Sequence, residues 1–266
     1  MTESMERTAD STERSAEEGA EEGLRLLLAA AELAQWVIEA PGLRRSRDDV
    51  AADHAIDDAV VAHLSDQGLA VYSEESGRTV PARPGRYAVL IDPLDGSRNF
   101  RLGVPWYAFS ACLLTDGTPA AAVVRNLATG QTTRAIRGVG AWTEGGPTRV
   151  DPVHTLAEAR ALYSGYPGTP VPAVTSRDLG ASALDLCAVA RGDFHLSLDL
   201  TRSGTDSWDH AAGMLIAEAA GAALACRRSA PGRFGTGVFA RRHLVAASSP
   251  ALLAEAVAWS DRWGPR

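Results

Sequence analysis

No lysine occurs anywhere in the 266 residues; all 26 basic side chains are arginine. That absence removes whole mechanisms. A P-loop needs its Lys on the phosphates, a pyridoxal enzyme or Schiff-base aldolase needs a Lys amine, and a protein kinase needs its strand Lys. Cysteine is scarce as well. Cys112, Cys187 and Cys226 lie far apart with an odd total and no CxxC spacing, which indicates neither a disulfide framework nor a zinc site. The motifs HExxH, GxSxG and GxGxxG are missing, so zincin, α/β-hydrolase and Rossmann readings lack their minimal signature. His63, His154, His195 and His243 carry no ligand spacing. His54 and His210 adjoin Asp53 and Asp209, but neighbours on a helix point about a quarter turn apart. Long apolar runs are also lacking: Leu24 to Ile38 is interrupted by Arg25, Glu32 and Gln35, and the N-terminus is acidic where a signal peptide would be basic and then apolar. A cytoplasmic protein is expected. The 33 acidic residues outnumber the basic ones to give −7, so neither nucleic acid nor an anionic membrane is an expected partner.

What is present is ordinary globular composition, 45% hydrophobic and 22% charged. Residues 1–22, rich in Glu, Ser, Thr and Ala with almost no large apolar side chain, read as a disordered acidic tail. Leu24, Leu27, Leu28, Ala31, Ala34 and Ile38 form a helical stripe ended by Pro41-Gly42, and Asp53 to Leu64 reads as a second helix. A Pro/Gly-rich loop from Val80 to Gly85 precedes Tyr87 to Ile91, a short apolar run expected as a buried strand ending at Asp92. Strand candidates at Trp106 to Thr115, Ala120 to Arg125 and Thr132 to Ile136, joined by Asp-Gly and Thr-Gly turns, suggest an antiparallel meander. Beyond them, helix (Ser182 to Ala190), strand (Phe194 to Leu200), helix (Asp209 to Ala220), two strands (Ala222 to Cys226, Leu244 to Ser248) and helix (Pro250 to Trp263) alternate. The expectation is a mixed α+β chain of two intimately packed halves: residues 23–150 carrying most of the site, and residues 151–266 completing it.

Three acidic clusters place carboxylates where packing does not ask for them: Ser73-Glu74-Glu75-Ser76, Asp92-Pro93-Leu94-Asp95-Gly96-Ser97 and Trp208-Asp209-His210. In the middle one a buried strand delivers Asp92, Pro93 fixes the turn and Asp95 returns three residues later, so two carboxylates converge. Close carboxylates repel unless a cation sits between them, and oxygen-only ligands select a hard ion, Mg²⁺ or Mn²⁺. Gly96 and Ser97 then offer N–H groups and a hydroxyl to an anion beside that cation. Each cluster alone also has a plain reading: a strand, type I turn and helix cap for DPLDGS, a surface turn for SEES, an N-cap with a packed Trp for Trp208-Asp209.

Together the segments resemble the inositol monophosphatase family of Mg²⁺-dependent, lithium-sensitive phosphatases. SEES looks like its GEE(S) element, DPLDGSRNF like DPxDG(T/S)xNF, and WDHAAGMLIAEAAGA like WDxAAGxxIxxEAGG. RDDVAADHAID is similar to the DxVTxxD helix start, Val139-Gly140-Ala141-Trp142 to a G-x-GA turn, and SALDLCAVARGDF to the helix before the substrate-facing strand; the likeness spans Leu24 to Leu253. It implies a five-layered α-β-α-β-α sandwich, a homodimer, and hydrolysis of a small phosphate monoester by in-line attack of a metal-activated water. Carried over, Glu74, Asp92 and the Leu94 carbonyl would hold one Mg²⁺, and Asp92, Asp95 and Asp209 a second. A third, mostly water-bound ion would sit near Glu74, with Mn²⁺ a possible substitute. Asp53, with the Ser97 hydroxyl and Glu74, would activate the water, Glu75 would support them, and Gly96 and Ser97 would bind phosphate.

The chain also departs from the pattern. Val50 stands at the usual Thr, Arg47 at the first Asp, and Arg44 or Arg45 at the loop Lys, which puts the third ion in question. A few extra residues before Asp209 place the sugar-binding acid at Asp199, or at Asp206 under a different gap, and put Arg202 where it could meet extra negative charge or simply solvent. Cyclitol, sugar, histidinol and nucleoside phosphates all remain open as substrates. The alternatives are a 3′-phosphonucleotide or bisphosphate phosphatase and a non-catalytic binding protein on the same fold.

Overall fold

Two sheets alternate with three layers of helix along the chain. In this computed structural model, residues 2–78, 87–227 and 241–263 are described; the Pro/Gly-rich loop at Val80 to Gly85 lies outside them. Helices α1 (Thr2–Ile38), α2 (Pro41–Ser46) and α3 (Asp49–Asp66) come first. The first sheet follows: β1 (Ala70–Ser73), β2 (Gly77–Arg78), β3 (Tyr87–Asp95), β4 (Ala108–Thr115), β5 (Thr118–Asn126), β6 (Thr132–Ile136), β7 (Gly140–Thr143) and β8 (Gly146–Pro147), with α4 (Ser97–Leu102) between β3 and β4. The second sheet takes β9 (Arg160–Ser164), β10 (Thr175–Arg177), β11 (Leu196–Asp199), β12 (Ala223–Arg227) and β13 (His243–Ala247), with α5 (Ser182–Ala190), α6 (Ser207–Ala219) and α7 (Pro250–Trp263).

Strand periodicity sorts the layers. Along β3, Val89 and Ile91 point to one face, where Leu27, Ala31 and Ala34 of α1 and Ile56, Val60 and Leu64 of α3 cover them. Leu90 points the other way, with Cys112, Leu114, Ala122 and Val124, against α5 and α6. The far side of that helix pair meets the second sheet through Leu186, Leu244 and Ala246. The opposite face of the second sheet, with Leu196, Leu198, Val245 and Ala247, is closed by Leu252 and Ala256 of α7. The order is helix, sheet, helix, sheet, helix: the expected five-layered α-β-α-β-α sandwich. Because α5 is covered from both sides, every residue from Ala183 to Ala190 is buried.

The first sheet runs β2-β1-β3-β4-β5-β6-β7-β8; β1 is parallel to β3, and the rest is the antiparallel meander read from its turns. The second runs β10-β9-β11-β13-β12. Two of the differences from the sequence reading have a plain local cause. The backbone of residues 2–22, expected as a tail, is helical, and Ala20 is already buried. Ala and Glu are strong helix formers, and extending a helix already nucleated on a core adds a hydrogen bond for each residue fixed. Strand β3 also continues past Asp92 to Asp95, with a register shift between them opposite β4. Pro93 has no N–H to give the ladder, so the irregularity falls where pairing is weakest.

At the α5–α6 crossing a Cβ on Gly213 would lie 2.7 Å from Leu186 Cβ and 3.1 Å from the Ala183 carbonyl. Gly213→Ala is therefore expected to overpack the central layer and destabilise the fold by about 1–3 kcal/mol, seen as a lowered Tm in calorimetry. An unchanged Tm would mean that the two helices separate freely.

Candidate active site

The site forms where the C-terminal end of β3, the turn after β1 and the N-terminus of α6 meet. Glu74 follows β1 and donates its backbone N–H to the Ile91 carbonyl, 3.3 Å, which ties the turn to β3. The buried Ser73 hydroxyl donates to Asp57 of α3 and accepts the Glu75 N–H at 3.3 Å, so Glu74 sits on a turn braced from behind. Asp57 was not singled out from sequence; its spacing of four residues from Asp53 puts both on one face of α3 and was the available signal.

Asp92 is buried, and its Oδ1 accepts the Leu94 N–H at 3.0 Å, an Asx turn that aims the carboxyl out of the strand. Asp95 accepts the Ala183 N–H at 2.7 Å from the first turn of α5, so the central helix layer orients it. Asp209 closes a capping box: its Oδ2 accepts the Asp206 N–H at 2.8 Å. The result brings carboxylate oxygens of Glu74, Asp92 and Asp209 within 4.8 Å of one another. Asp95 adjoins them; Asp209 is the first charge its carboxyl feels. Leu94 is buried in the strand between the two aspartates.

Gly96 follows with φ near 80°, a conformation glycine adopts without strain, and a Cβ there would lie 2.9 Å from the Trp106 carbonyl. It caps α4, whose first residue is the half-buried Ser97. Asn99 of α4 donates to the carbonyls of Trp106 and Leu179, both at 2.7 Å, and so anchors this corner. Asn99 and Trp106 were not among the residues singled out from sequence.

The electrostatics are those of anions gathered with too little positive charge. Burial, then the charge of Asp95, holds the Asp92 carboxyl well above the usual range; burial and Asp209 do the same to Asp95. Asp209 is pushed up to about 7 by burial and then by Glu74, and Glu74 is raised by burial and then by Glu75. Asp53, one turn into α3, is pushed up to about 8 by burial, then by Glu75 and Glu74, and its buried Oδ1 has no hydrogen-bond partner. Among the described residues no arginine forms an ion pair with Glu74, Asp92, Asp95 or Asp209. An all-oxygen, mutually repelling donor set of this kind fits hard divalent cations.

These features already define a class, and comparison with known proteins assigns it. The family model described as the inositol monophosphatase family matches residues 10–260. The chain belongs to the inositol monophosphatase family. It is accordingly a metal-dependent phosphatase, a phosphoric monoester hydrolase. Among similar proteins, a fructose-1,6-bisphosphatase of Pyrococcus furiosus is 32% identical over 174 residues, 65% of this chain and 67% of that protein. A fructose-1,6-bisphosphatase/inositol-1-monophosphatase of Archaeoglobus fulgidus is 36% identical over 176 residues, 64% of this chain and 67% of its own. A solved structure from Pyrococcus horikoshii, described as having similarities for inositol-1 monophosphatase, superposes with a TM-score of 0.79 at 24% identity. It covers 91% of this chain and 98% of that one, and shares the fold.

The remaining residues singled out from sequence lie as follows. Val50 is 61% exposed in the first turn of α3, and Arg47 ends α2 in the left-handed region with its guanidinium against Gly103. Arg44 and Arg45 are exposed on α2. His54 reaches Glu75 at 3.4 Å at the rim, whereas His210 is buried and lies 3.3 Å from the Thr205 hydroxyl. Arg202 is exposed on the loop before α6. Asp199 is buried beneath that loop, takes hydrogen bonds from Thr201 and Thr205, and has the His243 ring 4.0 Å from its Oδ2. Asp206 is half-buried at the N-terminus of α6, where its carboxyl completes the capping box with the Asp209 backbone and pairs with Arg241 at 3.0 Å.

Proposed function

We propose that this phosphatase is Mg²⁺-dependent and Li⁺-sensitive and hydrolyses a small phosphorylated metabolite, a cyclitol, sugar, histidinol or nucleoside phosphate, in the cytoplasm as a homodimer. The observation that carries the reading is the convergence of Glu74, Asp92 and Asp209 within 4.8 Å on three separate elements. Glu74, Asp92 and the Leu94 carbonyl would hold one ion, and Asp92, Asp95 and Asp209 a second; a third would lie near Glu74. Bound there, such ions stabilise charge on attacking and leaving oxygens and make a water acidic enough to react near neutral pH.

The chain's own residues do the rest. Asp53 and the Ser97 hydroxyl hold the attacking water, and the buried Asp53 Oδ1, which no protein donor engages, is the acceptor for that water's proton. The N–H groups of Gly96 and Ser97 hold phosphate oxygens beside the carboxylates. With all nucleophile chemistry left to water, attack is in line and leaves no covalent intermediate on the protein.

A bisphosphate substrate is the second reading. It is favoured by the exposed Arg202 on the loop before α6, by Arg241, which pairs with Asp206 at the N-terminus of α6, and by the bisphosphatase names of the two relatives above. Phosphate release from a panel of mono- and bisphosphate esters, with and without Mg²⁺ and then with Li⁺, tests both. Mg²⁺-dependent, Li⁺-inhibited release from a monoester is expected. Turnover that survives exhaustive chelation would sink the proposal, and a bisphosphate preferred about tenfold or more would select the second reading. Light scattering at twice the monomer mass is expected for the homodimer.

A further inference from the structure

The loop between β11 and α6 is built around one carboxylate. Asp199 stands at the end of β11 with 6% of its surface exposed. Its Oδ1 accepts the Thr201 N–H at 2.9 Å and the Thr201 hydroxyl at 2.6 Å, and its Oδ2 accepts the Thr205 N–H at 3.1 Å and lies 3.3 Å from the Thr205 hydroxyl. Both oxygens are therefore turned into the loop. On its other side Thr205 forms a two-way backbone bridge with Arg242, 3.0 and 2.9 Å, and the left-handed Gly204 lets the loop press onto the Arg242 backbone, where a Cβ would meet the carbonyl at 2.8 Å. Thr205 is thus clamped between Asp199 and the start of β13. The next peptide carries the Asp206 N–H, which Asp209 accepts at 2.8 Å. An unbroken chain of short contacts runs from Asp199 through Thr205 and the Asp206 peptide to the carboxyl of Asp209.

We propose that Asp199 is a positioning residue that aims Asp209 through Thr205 and the Asp206 peptide, and that it does not touch substrate. This differs from the role implied by resemblance, a sugar-binding acid, because each carboxylate oxygen already accepts an N–H of its own loop, and His243 stands 4.0 Å from Oδ2 on the β13 side. It rests on the proposed function only in taking Asp209 as a metal ligand. Groups that orient ligands in this way typically change metal affinity by about 10–100-fold when altered.

The test is Mn²⁺ binding by full-length protein, followed by calorimetry without substrate, in wild type, Asp199→Asn and Thr205→Val. The asparagine presents an NH₂ where one carboxylate oxygen accepted, and the valine deletes the hydroxyl but keeps the N–H. Asp199→Asn is expected to weaken Mn²⁺ binding about tenfold and Thr205→Val less, in the same direction. At saturating metal, the KM for the best monoester stays within about twofold of wild type. A raised KM with unchanged Mn²⁺ affinity would make Asp199 a substrate ligand and overturn the proposal; so would a lowered Tm with both constants unchanged. If Asp199→Asn does not fold, Thr205→Val decides, and wild-type affinity in that variant overturns it. Wild-type protein that binds Mn²⁺ but hydrolyses nothing defeats the proposed function alone and leaves this comparison intact. Wild-type protein that binds no Mn²⁺ defeats both.

Discussion

Asp92→Asn is expected to lower kcat by about 10³-fold or more and, in chelator, to raise the Tm of the protein. Both results follow from one fact: Asp92 is a buried charge placed among other charges. The asparagine is isosteric, and its Oδ1 can still accept the Leu94 N–H, so the turn between Asp92 and Asp95 keeps its shape. What disappears is the anion proposed to lie between two cations. A group shared by both ions contributes several kcal/mol to stabilising the charge that develops on phosphate, and each 1.36 kcal/mol is a factor of ten in rate. Without metal the same substitution removes a carboxylate whose ionised form is opposed by burial and by Asp95, Glu74 and Asp209. Steady-state kinetics and calorimetry in EDTA read the two effects separately. Activity within tenfold of wild type would show that Asp92 is not shared between ions, and a lowered Tm would show that its charge is compensated within the protein.

How much of this was readable in advance depended on the range of the interactions involved. Helices α5 and α7 occupy the residues predicted for them, because their apolar content and bounding Gly or Pro are local signals. The convergence of Asp92 and Asp95 was equally local, set by one strand and a proline turn. The meeting of Glu74 with Asp209 is different, since it requires β1 to pair in parallel with β3 and α6 to dock beneath the first sheet. Nothing within either segment states that, and only the joint resemblance to a family brought the clusters together. Strand β1 has no counterpart in the sequence reading, where only its last residue, Ser73, falls in the SEES turn: four residues, Ala-Val-Tyr-Ser, are too few for a period-2 pattern to declare itself. Strand β9, Arg160–Ser164, is hidden for the same reason.

Asp199 illustrates another limit. Its type and place in the chain suit a substrate ligand, yet threonines two and six residues on supply local donors that turn the carboxyl inward. Spacing alone does not say which of these partners a short acidic side chain takes. Asp185 escaped notice too, although it is buried on α5 two residues beyond the N–H that holds Asp95, accepts the Trp106 indole N–H at 2.9 Å and is pushed up to about 8 by burial. Buried charges of this kind give the whole molecule a pH signature that no single motif announces.

That signature is the second large expected effect: in chelator, stability should fall as pH rises from about 5 to about 8, and saturating Mg²⁺ should largely abolish the fall. Asp53 and Asp185 are held near 8 and Asp209 near 7 in the folded chain, against ordinary carboxylate values near 4 once unfolded. Between those limits the folded state binds more protons than the unfolded one, so the free energy of unfolding decreases with pH. The stabilisation from each group is complete below pH about 4 and is lost as pH climbs through its folded value. A loss of about 3 kcal/mol corresponds to roughly 10 °C in Tm for a chain of this size. Divalent cations bind the ionised carboxylates, so their affinity rises over the same interval, and the Tm gain on adding Mg²⁺ should be small at pH 5 and largest at pH 8. Asp185→Asn separates most of the two contributions, because Asp185 is not among the proposed ligands and reaches them only through its charge on Asp95: it should flatten part of the slope in chelator and leave most of the Mg²⁺-dependent gain in place. A Tm in chelator that rises between pH 5 and 8 would mean that the carboxylates of β3 and α6 are already neutralised by the protein, and the site would then have no electrostatic demand for a cation.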